Sequence, residues 1–423
     1  MGVFEEFEWR GMVSEATDGV REALGTQRVT AYIGFDPTAS SLHIGNLLTV
    51  MGLARLQKFG HIPIAIVGGG TGMIGDPSGK SQERNLLSAE QVDVNVAGVR
   101  AQLERFLDFD TAPNAAKIVN NADWLGTIDV LTFLRDVGKH FTVGYMLQKE
   151  SVSRRLESED GISYTEFSYL VLQAFDFLQL FDRHGCSLQM GGSDQWGNIT
   201  AGIELIRRVR GKKAHGLVWP LMKTAAGTKF GKTEAGTIWL DAGRTSPFKF
   251  YQFWLNTDDR DVVNYLKVLT WLDRQAIDAL TQTVAEAPAG REAQRTLARE
   301  VTAMVHGADE LSKAERATGM MHGNTAKSAD DILEISADVP TTAMSMDEFV
   351  SSTSTSLTVL VGLAESNSQA ARLIKQGGIY INDERITDER AKLQPEQLIA
   401  GKVLTIRKGQ RDRRVVRIRQ SGS

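Results

Sequence analysis

The chain has 423 residues, of which 42% are hydrophobic and 24% charged, and its formal net charge at pH 7 is -4. This composition is ordinary for a globular enzyme of two or three domains, and the charge excludes a polycation. The single cysteine, Cys186, excludes an internal disulfide framework and fits a reducing, cytoplasmic location. There is no apolar run of about 18 residues and no signal-like start, so we expect neither a membrane span nor secretion.

Strand-like and helix-like segments alternate through the first half of the chain. The strand-like segments lie at 29–35, 62–67, 117–120 and 187–190, and a helical apolar pattern covers 43–60. Such alternation predicts βαβ units, and hence an α/β fold with a Rossmann-like parallel sheet. Sheets of this kind bind their ligands at the carboxyl ends of the strands.

The second half changes first to helical patterns alone and then to a mixed pattern. We expect a Rossmann-like catalytic domain at 1–222, a loop and a small all-helical domain at 223–322, a linker region at 323–351, and a small α+β domain at 352–423. Basic residues cluster at 207–213 and at 402–423. These clusters suit docking of a polyanion, although charge alone slightly favours a solubilising tail and a solvated helix end.

The segment 38–46 joins a predicted strand to a predicted helix. The start of a helix offers free N–H groups and the positive end of its dipole to an anion. His43 and Thr38 can donate to phosphate oxygens, Gly45 lets a flat adenine or ribose come close, and Asn46 can bond ribose. The alternative is that the histidine caps or packs against the helix.

The second phosphate-binding candidate is 229–233. Lys229 and Lys232 stand three apart around a Phe-Gly pair, which suits two ammonium groups that converge on one polyphosphate from a flexible loop. An exposed loop with two solvated lysines is the alternative. Together the two segments predict an ATP site and attack at the α-phosphate, with cations stabilising the pyrophosphate that leaves.

A glycine-rich segment at 70–80 contains G-x-G-x-x-G after a strand. This pattern suggests a dinucleotide oxidoreductase, but a turn-forming stretch interrupts the helix that the fingerprint requires. The segment is not a P-loop either, because Ile74 replaces the first glycine. We interpret it as a floor on which Asp76 faces a small ligand, with Lys80 and Arg84 near phosphates.

A largely apolar helical pattern at 164–181 carries polar side chains on one stripe. Tyr169, Gln173 and Asp176 stand at i, i+4 and i+7, so they share one face of the helix. A carboxylate on such a helix needs a partner. The stripe suits an ammonium group and a polar side chain of an amino acid, and a solvent-facing stripe is the alternative.

A further candidate follows the strand near 190. Gly192, Asp194 and Gln195 precede a helix there, and they suit contacts with ribose and a carboxylate. The alternative is a simple capping turn, in which Asp194 or Asn198 starts the helix.

With these residues in place, the chain resembles the bacterial tyrosyl-tRNA synthetases from Trp9 to its end. The strings that carry the resemblance lie at 32–38, 43–46, 67–80, 191–198 and 229–233. The first class I signature ends in Asn46 instead of His, and the second reads KFGKT. Both look like variants that this family uses.

The resemblance implies a role for each group of candidates. The phenolic hydroxyl of the substrate would be read by Tyr32 and Asp176, and its ammonium group by Asp76, Tyr169 and Gln173. The phosphates that depart would be held by Thr38 and His43, and the pyrophosphate by Lys80, Arg84, Lys229 and Lys232. Ribose and the reacting carboxylate would be oriented by Asp36, Asp194 and Gln195.

The resemblance also implies the substrates and partners, which are tyrosine, ATP with Mg²⁺ and tRNA(Tyr), on a homodimer without a dedicated protein metal cage. Arg207 and Arg208 would meet the acceptor end of the tRNA. The C-terminal module is similar to a small RNA-binding domain, where Arg372 lies in the matching core.

Two other functions stay open. A tryptophan-specific relative would share the fold, although Tyr32 with Asp176 argues against it. A noncatalytic RNA-binding scaffold would tolerate loss of His43 or of the lysine pair, and both are intact.

Overall fold

A computed structural model of the protein describes residues 2–78, 87–110, 113–157, 161–228, 230–233, 236–321, 328–329, 332–333, 339–409 and 412–419. The chain forms two compact units. The first consists of Met1–Arg244 with Thr257–Leu297, and the second of Thr245–Asn256 with Ala298–Ser423.

The helices are α1 Val3–Trp9, α2 Val20–Thr26, α3 Ile44–Lys58, α4 Ala89–Leu103, α5 Ala122–Leu125, α6 Val130–Thr132, α7 Val143–Leu147, α8 Glu150–Leu156, α9 Tyr164–His184, α10 Trp196–Arg210, α11 Pro247–Leu255, α12 Asp259–Leu269, α13 Arg274–Glu286, α14 Glu292–His306, α15 Ala308–Met321, α16 Met346–Ser351, α17 Ser354–Leu360 and α18 Asn367–Lys375. Among the described residues, we find no helix with both the length and the apolar character that crossing a membrane requires.

The strands of the first unit are β1 Glu15–Ala16, β2 Thr30–Phe35, β3 Ile62–Val67, β4 Lys117–Asn120, β5 Cys186–Gly192, β6 His215–Trp219, β7 Lys232–Thr233 and β8 Gly236–Thr237. The strands of the second unit are β9 Thr341–Met344, β10 Ile379–Ile381, β11 Glu384–Arg385, β12 Val403–Lys408 and β13 Asp412–Ile418.

The main sheet of the first unit has the order β1-β6-β5-β2-β3-β4. The strands β2 to β6 are parallel, and β1 lies antiparallel at the edge beside β6. The chain winds outward from β2 through β3 to β4, and then returns to β5 on the other side of β2. The switch point between β2 and β5 is where a parallel sheet opens a crevice for ligands. The predicted α/β fold with a parallel sheet is therefore confirmed.

Helix α9 spans the predicted apolar segment and lies beside α10 on the core. Its first turn is capped by Ser163, whose hydroxyl accepts from the Glu166 N–H, and it ends at Gly185 with φ 60°. Phe177 is fully buried on this helix, and so is Cys186 at the start of β5. Apolar burial thus fixes which face of α9 remains for its polar stripe.

Two buried arginines hold the end of α12. The Arg55 guanidinium donates to the carbonyls of Val268 at 2.8 Å and Thr270 at 2.6 Å. Arg10 donates to the Leu272 carbonyl at 2.8 Å. These donors satisfy carbonyls that a helix C-terminus leaves without partners, and their charge suits the negative end of the dipole. The helix ends at Leu269, because Thr270 already has extended backbone angles.

The sheet of the second unit has the order β11-β10-β12-β13-β9. Its core includes Phe349, Leu357 and Ile406. Strand β9 pairs in parallel with β13, and α16 follows it, although both lie in the range 323–351 that we expect to be a linker. The strand is short and mostly solvent-facing, with polar Thr341 and Thr342, so it lacks the apolar alternation that a sequence pattern needs.

Candidate active site

A cavity of about 550 Å³ opens at the carboxyl edge of the main sheet, around the switch point between β2 and β5. Its volume lies in the range usual for sites that bind small molecules. The lining includes the predicted site residues Tyr32, Asp36, His43, Gly45, Asn46, Asp76, Tyr169, Gln173, Asp176, Gly192, Asp194 and Gln195. Segments far apart in the sequence therefore meet at one place.

One end of the cavity presents a buried phenol and a buried carboxylate. The Asp176 Oδ1 accepts from the Trp124 indole N–H at 2.7 Å, and its Oδ2 accepts from the Asn121 amide at 2.9 Å. The Tyr32 hydroxyl is buried and has no hydrogen-bond partner among the described residues. A free donor and acceptor beside a positioned carboxylate can bind a hydroxyl group of a ligand.

Burial controls the charge at this end. It raises the pKa of Asp176 to about 7, and the hydrogen bonds from Asn121 and Trp124 oppose this rise. Burial, with the nearby Asp176 charge, also raises the pKa of Tyr32 well above its ordinary value. Tyr32 is therefore a neutral phenol at neutral pH, and a ligand that donates to Asp176 would favour its ionised form.

A chain of hydrogen bonds joins this end to the middle of the cavity. Asn121 donates to Thr71 Oγ1 at 2.9 Å, and Thr71 donates to Asp36 Oδ1 at 3.1 Å. The Tyr169 hydroxyl donates to Asp36 Oδ2 at 3.1 Å. Asp36 thus also holds Tyr169. The resemblance assigns Asp36 to ribose and Tyr169 to the ammonium group.

Another part of the cavity wall is a relay of amides that ends on a carboxylate. Gln195 donates to Asp76 Oδ2 at 2.8 Å, and Gln173 donates to Gln195 Oε1 at 3.1 Å. Asn198 donates to Gln173 Oε1 at 2.8 Å, and the Ser78 N–H donates to Asp76 Oδ1 at 2.8 Å. This wall combines one negative charge with oriented amide dipoles, which suits an ammonium group next to a carboxylate.

The third part of the cavity is the N-terminus of α3. His43 occupies the N-cap position with extended backbone angles, and its N–H donates to Asn46 Oδ1 at 3.1 Å. A methyl group at Gly45 would lie 2.8 Å from the His43 imidazole, so only glycine leaves this ring in place. Gly231, with φ +87°, lies against the same turn, and its added methyl group would be 3.3 Å from the Gly45 nitrogen. The two phosphate-binding candidates therefore touch each other here.

Comparisons with known proteins agree with this arrangement. Residues 24–323 match the sequence model of the class I tRNA synthetases for tryptophan and tyrosine, and 331–416 match a C-terminal domain of tyrosine–tRNA ligases. The tyrosine–tRNA ligase of Roseiflexus castenholzii is 52% identical over 98% of this chain and 99% of its own, and that of Geobacillus stearothermophilus is 52% identical over 99% and 100%. The chain belongs to the tyrosine–tRNA ligase family.

A solved structure supports the same relationship. The C-terminally truncated mitochondrial tyrosyl-tRNA synthetase of Aspergillus nidulans is 30% identical, with a TM-score of 0.68, over 75% of this chain and 93% of that one. The family inferred from the sequence motifs is thereby confirmed. As a class I aminoacyl-tRNA synthetase, this tyrosine–tRNA ligase uses ATP as a substrate.

Not every residue predicted for the ligase site is seen at the cavity. Thr38 is exposed and does not line the cavity. Lys80, Arg84 and Lys229 fall outside the described residues, and of Lys232 only the backbone, in β7, is described. Their predicted roles at the phosphates stay predictions.

The predicted tRNA contacts lie on the surface. Arg207 and Arg208 are exposed on α10, and both donate to the Glu204 carboxylate, with distances of 2.7 Å and 2.6 Å. The two arginines lower the pKa of Glu204 to about 2. Arg372 is exposed on α18 in the second unit. All three side chains are in positions that a polyanion can reach.

The sequence patterns missed several residues of the ligase site. Asn121 and Trp124 hold Asp176, and Asn198 extends the amide relay. Asn121 directly follows β4, so the rule that ligands meet the carboxyl ends of parallel strands could have found it. Gln189 faces Tyr32 across the β2–β5 pair, is buried, and its Oε1 has no partner among the described residues.

Proposed function

We propose that this tyrosine–tRNA ligase activates tyrosine with ATP, forms tyrosyl-adenylate and pyrophosphate, and transfers the tyrosyl group to the 3' end of tRNA(Tyr). The observation that carries the tyrosine specificity is the pair at one end of the cavity. The Tyr32 hydroxyl lacks a partner among the described residues, and Asp176 is fixed by Asn121 and Trp124. A phenolic hydroxyl would donate to the carboxylate and accept from Tyr32.

The remaining groups place the reacting atoms. The ammonium group of tyrosine would meet Asp76, the Tyr169 hydroxyl and the amide of Gln173, and its carboxylate would face Gln195. A carboxylate oxygen attacks the α-phosphorus in line, a new P–O bond forms, and the bond to the bridging oxygen of pyrophosphate breaks. Catalysis by positioning and by charge needs no nucleophile from the enzyme.

ATP would lie along the N-terminus of α3. The helix dipole and His43 favour its phosphates, while Gly45 and Asn46 border the nucleoside together with Gly192 and Asp194. Mg²⁺ would arrive with the phosphates as part of the substrate, which needs few ligands from the protein. The lysines at 229 and 232, with Lys80 and Arg84, remain the proposed partners of the pyrophosphate.

The second step consumes the adenylate. The terminal ribose hydroxyl of tRNA attacks the carbonyl carbon of the tyrosyl group, the ester bond forms, and AMP leaves. Arg207 and Arg208 would approach the acceptor end, and Arg372 another part of the tRNA. A cytoplasmic location follows from the role in translation and from the single reduced cysteine.

We also propose a homodimer. Large apolar side chains are exposed close together in sequence between α6 and α9, among them Leu131 at 74%, Val143 at 63% and Tyr164 at 74% exposure. Where such exposed apolar side chains form a contiguous patch, the patch is typical of an interface. Leu131→Asp should shift the mass in sedimentation equilibrium from dimer to monomer, and a wild-type enzyme that sediments as a monomer would contradict the proposal.

The test of specificity is ATP–pyrophosphate exchange with tyrosine, tryptophan or phenylalanine. Phenylalanine would leave Tyr32 and Asp176 without a hydrogen bond to the ligand. Each unsatisfied group costs about 1–3 kcal/mol. We therefore expect kcat/KM for phenylalanine to be at least about 30-fold lower than for tyrosine. Preferred exchange with tryptophan would support the tryptophan-specific alternative, and no exchange with any amino acid would support a noncatalytic scaffold.

A further inference from the structure

The lysine loop is defined as residues 222–233, of which Lys229 falls outside the described residues, and it contacts one face of α12 through Ala225 and Phe230. The Ala225 N–H donates to Asp261 Oδ2 at 3.0 Å. The Phe230 ring packs on Tyr265, with 4.9 Å between ring centroids and 56° between planes. Phe230 is 6% exposed and Tyr265 3%, so this is a buried aromatic contact.

The contacts of Asp261 and Tyr265 form one binding surface for the loop, called the seat below. Asp261 and Tyr265 are four residues apart, so their side chains lie on the same face of the helix. They hold the loop on both sides of Lys229, at Ala225 before it and at Phe230 after it. The described residues Ala225 and Phe230, on either side of Lys229, are thus both held against α12.

The far end of α12 is tied to the helix that starts the ATP site. Arg55 belongs to α3 and bonds the carbonyls at the end of α12, while Gly231 of the loop lies against Gly45 at the start of α3. The two helices therefore run in the same direction, joined at one end by the guanidinium and at the other by the loop. Gly45 and Arg55 are about 15 Å apart along α3. Helix α12, with the lysine loop bound to it through Asp261 and Tyr265, bridges this distance.

We propose that Asp261 and Tyr265 are positioning residues for tyrosine activation. They determine the position of the lysine loop relative to the N-terminus of α3. The proposed function, on which this inference rests, places the phosphates of ATP at that N-terminus. Neither residue lines the cavity. Their effect arises because a catalytic group displaced by 1 Å can lose about 100-fold in rate.

The test separates the two chemical steps. In single-turnover experiments, Asp261→Ala and Tyr265→Leu should lower the rate constant for tyrosyl-adenylate formation about tenfold or more. Binding of tyrosine and transfer from preformed enzyme-bound adenylate to tRNA should stay within about twofold, because pyrophosphate has left before transfer. Tyr265→Phe keeps the ring contact and should form adenylate with the wild-type rate constant.

Asp259→Asn is the matched control. It removes the same charge from the same turn of α12, but its carboxylate accepts from Gln294 instead of the loop. The inference is overturned if Asp261→Ala and Tyr265→Leu both form adenylate at the wild-type rate. It is equally overturned if both steps slow alike, or if the control slows as much, since each result would indicate general damage to the fold.

A readout without catalysis distinguishes this inference from the proposed function. Trypsin should cut the lysine loop faster in Asp261→Ala than in wild type or Asp259→Asn, with no change in melting temperature. Equal cleavage rates in all three proteins would refute the claim that Asp261 holds the lysine loop on α12, even if the enzyme is active. A wild-type enzyme with no tyrosine-dependent adenylate formation would refute the proposed function, while faster cutting in Asp261→Ala would still support the seat.

Discussion

Replacing Trp124 with phenylalanine removes one donor to Asp176 and keeps an aromatic ring at that place. A hydrogen bond to a charged group contributes about 1.5–3 kcal/mol, and one pKa unit corresponds to about 1.4 kcal/mol. The pKa of Asp176, which is about 7 in the intact site, should therefore rise by about 1–2 units. At about pH 7.5, the ionised fraction would fall from about three quarters to between about a quarter and a thirtieth.

The assay is the pH dependence of kcat/KM for tyrosine in pyrophosphate exchange, which reports ionisations of the free enzyme. We expect Trp124→Phe to lose about 3- to 25-fold near pH 7.5 and to recover most of it above about pH 9. Trp271→Phe is the control, because Trp271 stacks on Lys58 instead. An unmoved inflection, or an equal loss at every pH, would refute the claim that this donor holds the carboxylate in its ionised form.

Three further predictions follow from the same cavity. Because its pKa rises from 3.8 to about 7 on folding, Asp176 contributes stability that is complete below about pH 4 and is lost as the pH rises through about 7. The free energy of unfolding of wild type should therefore fall by about 4 kcal/mol between about pH 4 and 8, and this fall should be absent in Asp176→Asn. The same pH dependence of the free energy of unfolding in both proteins would contradict this. Tyr32→Phe deletes a buried hydroxyl without a partner among the described residues, so stability in urea should be unchanged or higher, while KM for tyrosine rises about 2- to 10-fold. An unchanged KM would remove Tyr32 from the tyrosine site. Gly45→Ala should displace His43 and raise KM for ATP at least about tenfold without changing tyrosine binding in equilibrium dialysis. Equal losses for both substrates would indicate a misfolded site.

Physical patterns in the sequence were sufficient for the fold class and for β2 to β5 of the main sheet, whereas β1 and β6 were not predicted. Apolar runs such as 62–67 are typical of buried parallel strands, and parallel strands end at the same edge, so the motifs that follow them had to meet. The stripe of Tyr169, Gln173 and Asp176 likewise follows from helical spacing, and all three line the cavity. The pairing of Tyr32 with Asp176 came from the family resemblance, because no local pattern relates a strand to a helix far away in the chain.

The hydrogen-bond partners inside the site could not be predicted. Trp124 reaches Asp176 because a short helix, α5, follows β4 and directs the Trp124 indole toward that carboxylate. Tyr169 bonds Asp36, although the resemblance relates it to the ammonium group. Such contacts depend on the rotation of each helix and on side-chain rotamers, which spacing alone does not fix. The strand β9 escaped prediction for another reason, since a short edge strand buries too little to show an apolar pattern.

The fully buried Cys186 has a practical consequence. Its Sγ contacts the Leu188 carbonyl at 3.6 Å, and burial raises the pKa of the thiol far above its ordinary range. A thiol in this state does not react with maleimides or iodoacetamides at neutral pH. A cysteine introduced at the exposed Ala226 would then be the one reactive thiol of the chain. A fluorophore or spin label attached there would follow the lysine loop through turnover in a protein that keeps all its other native residues.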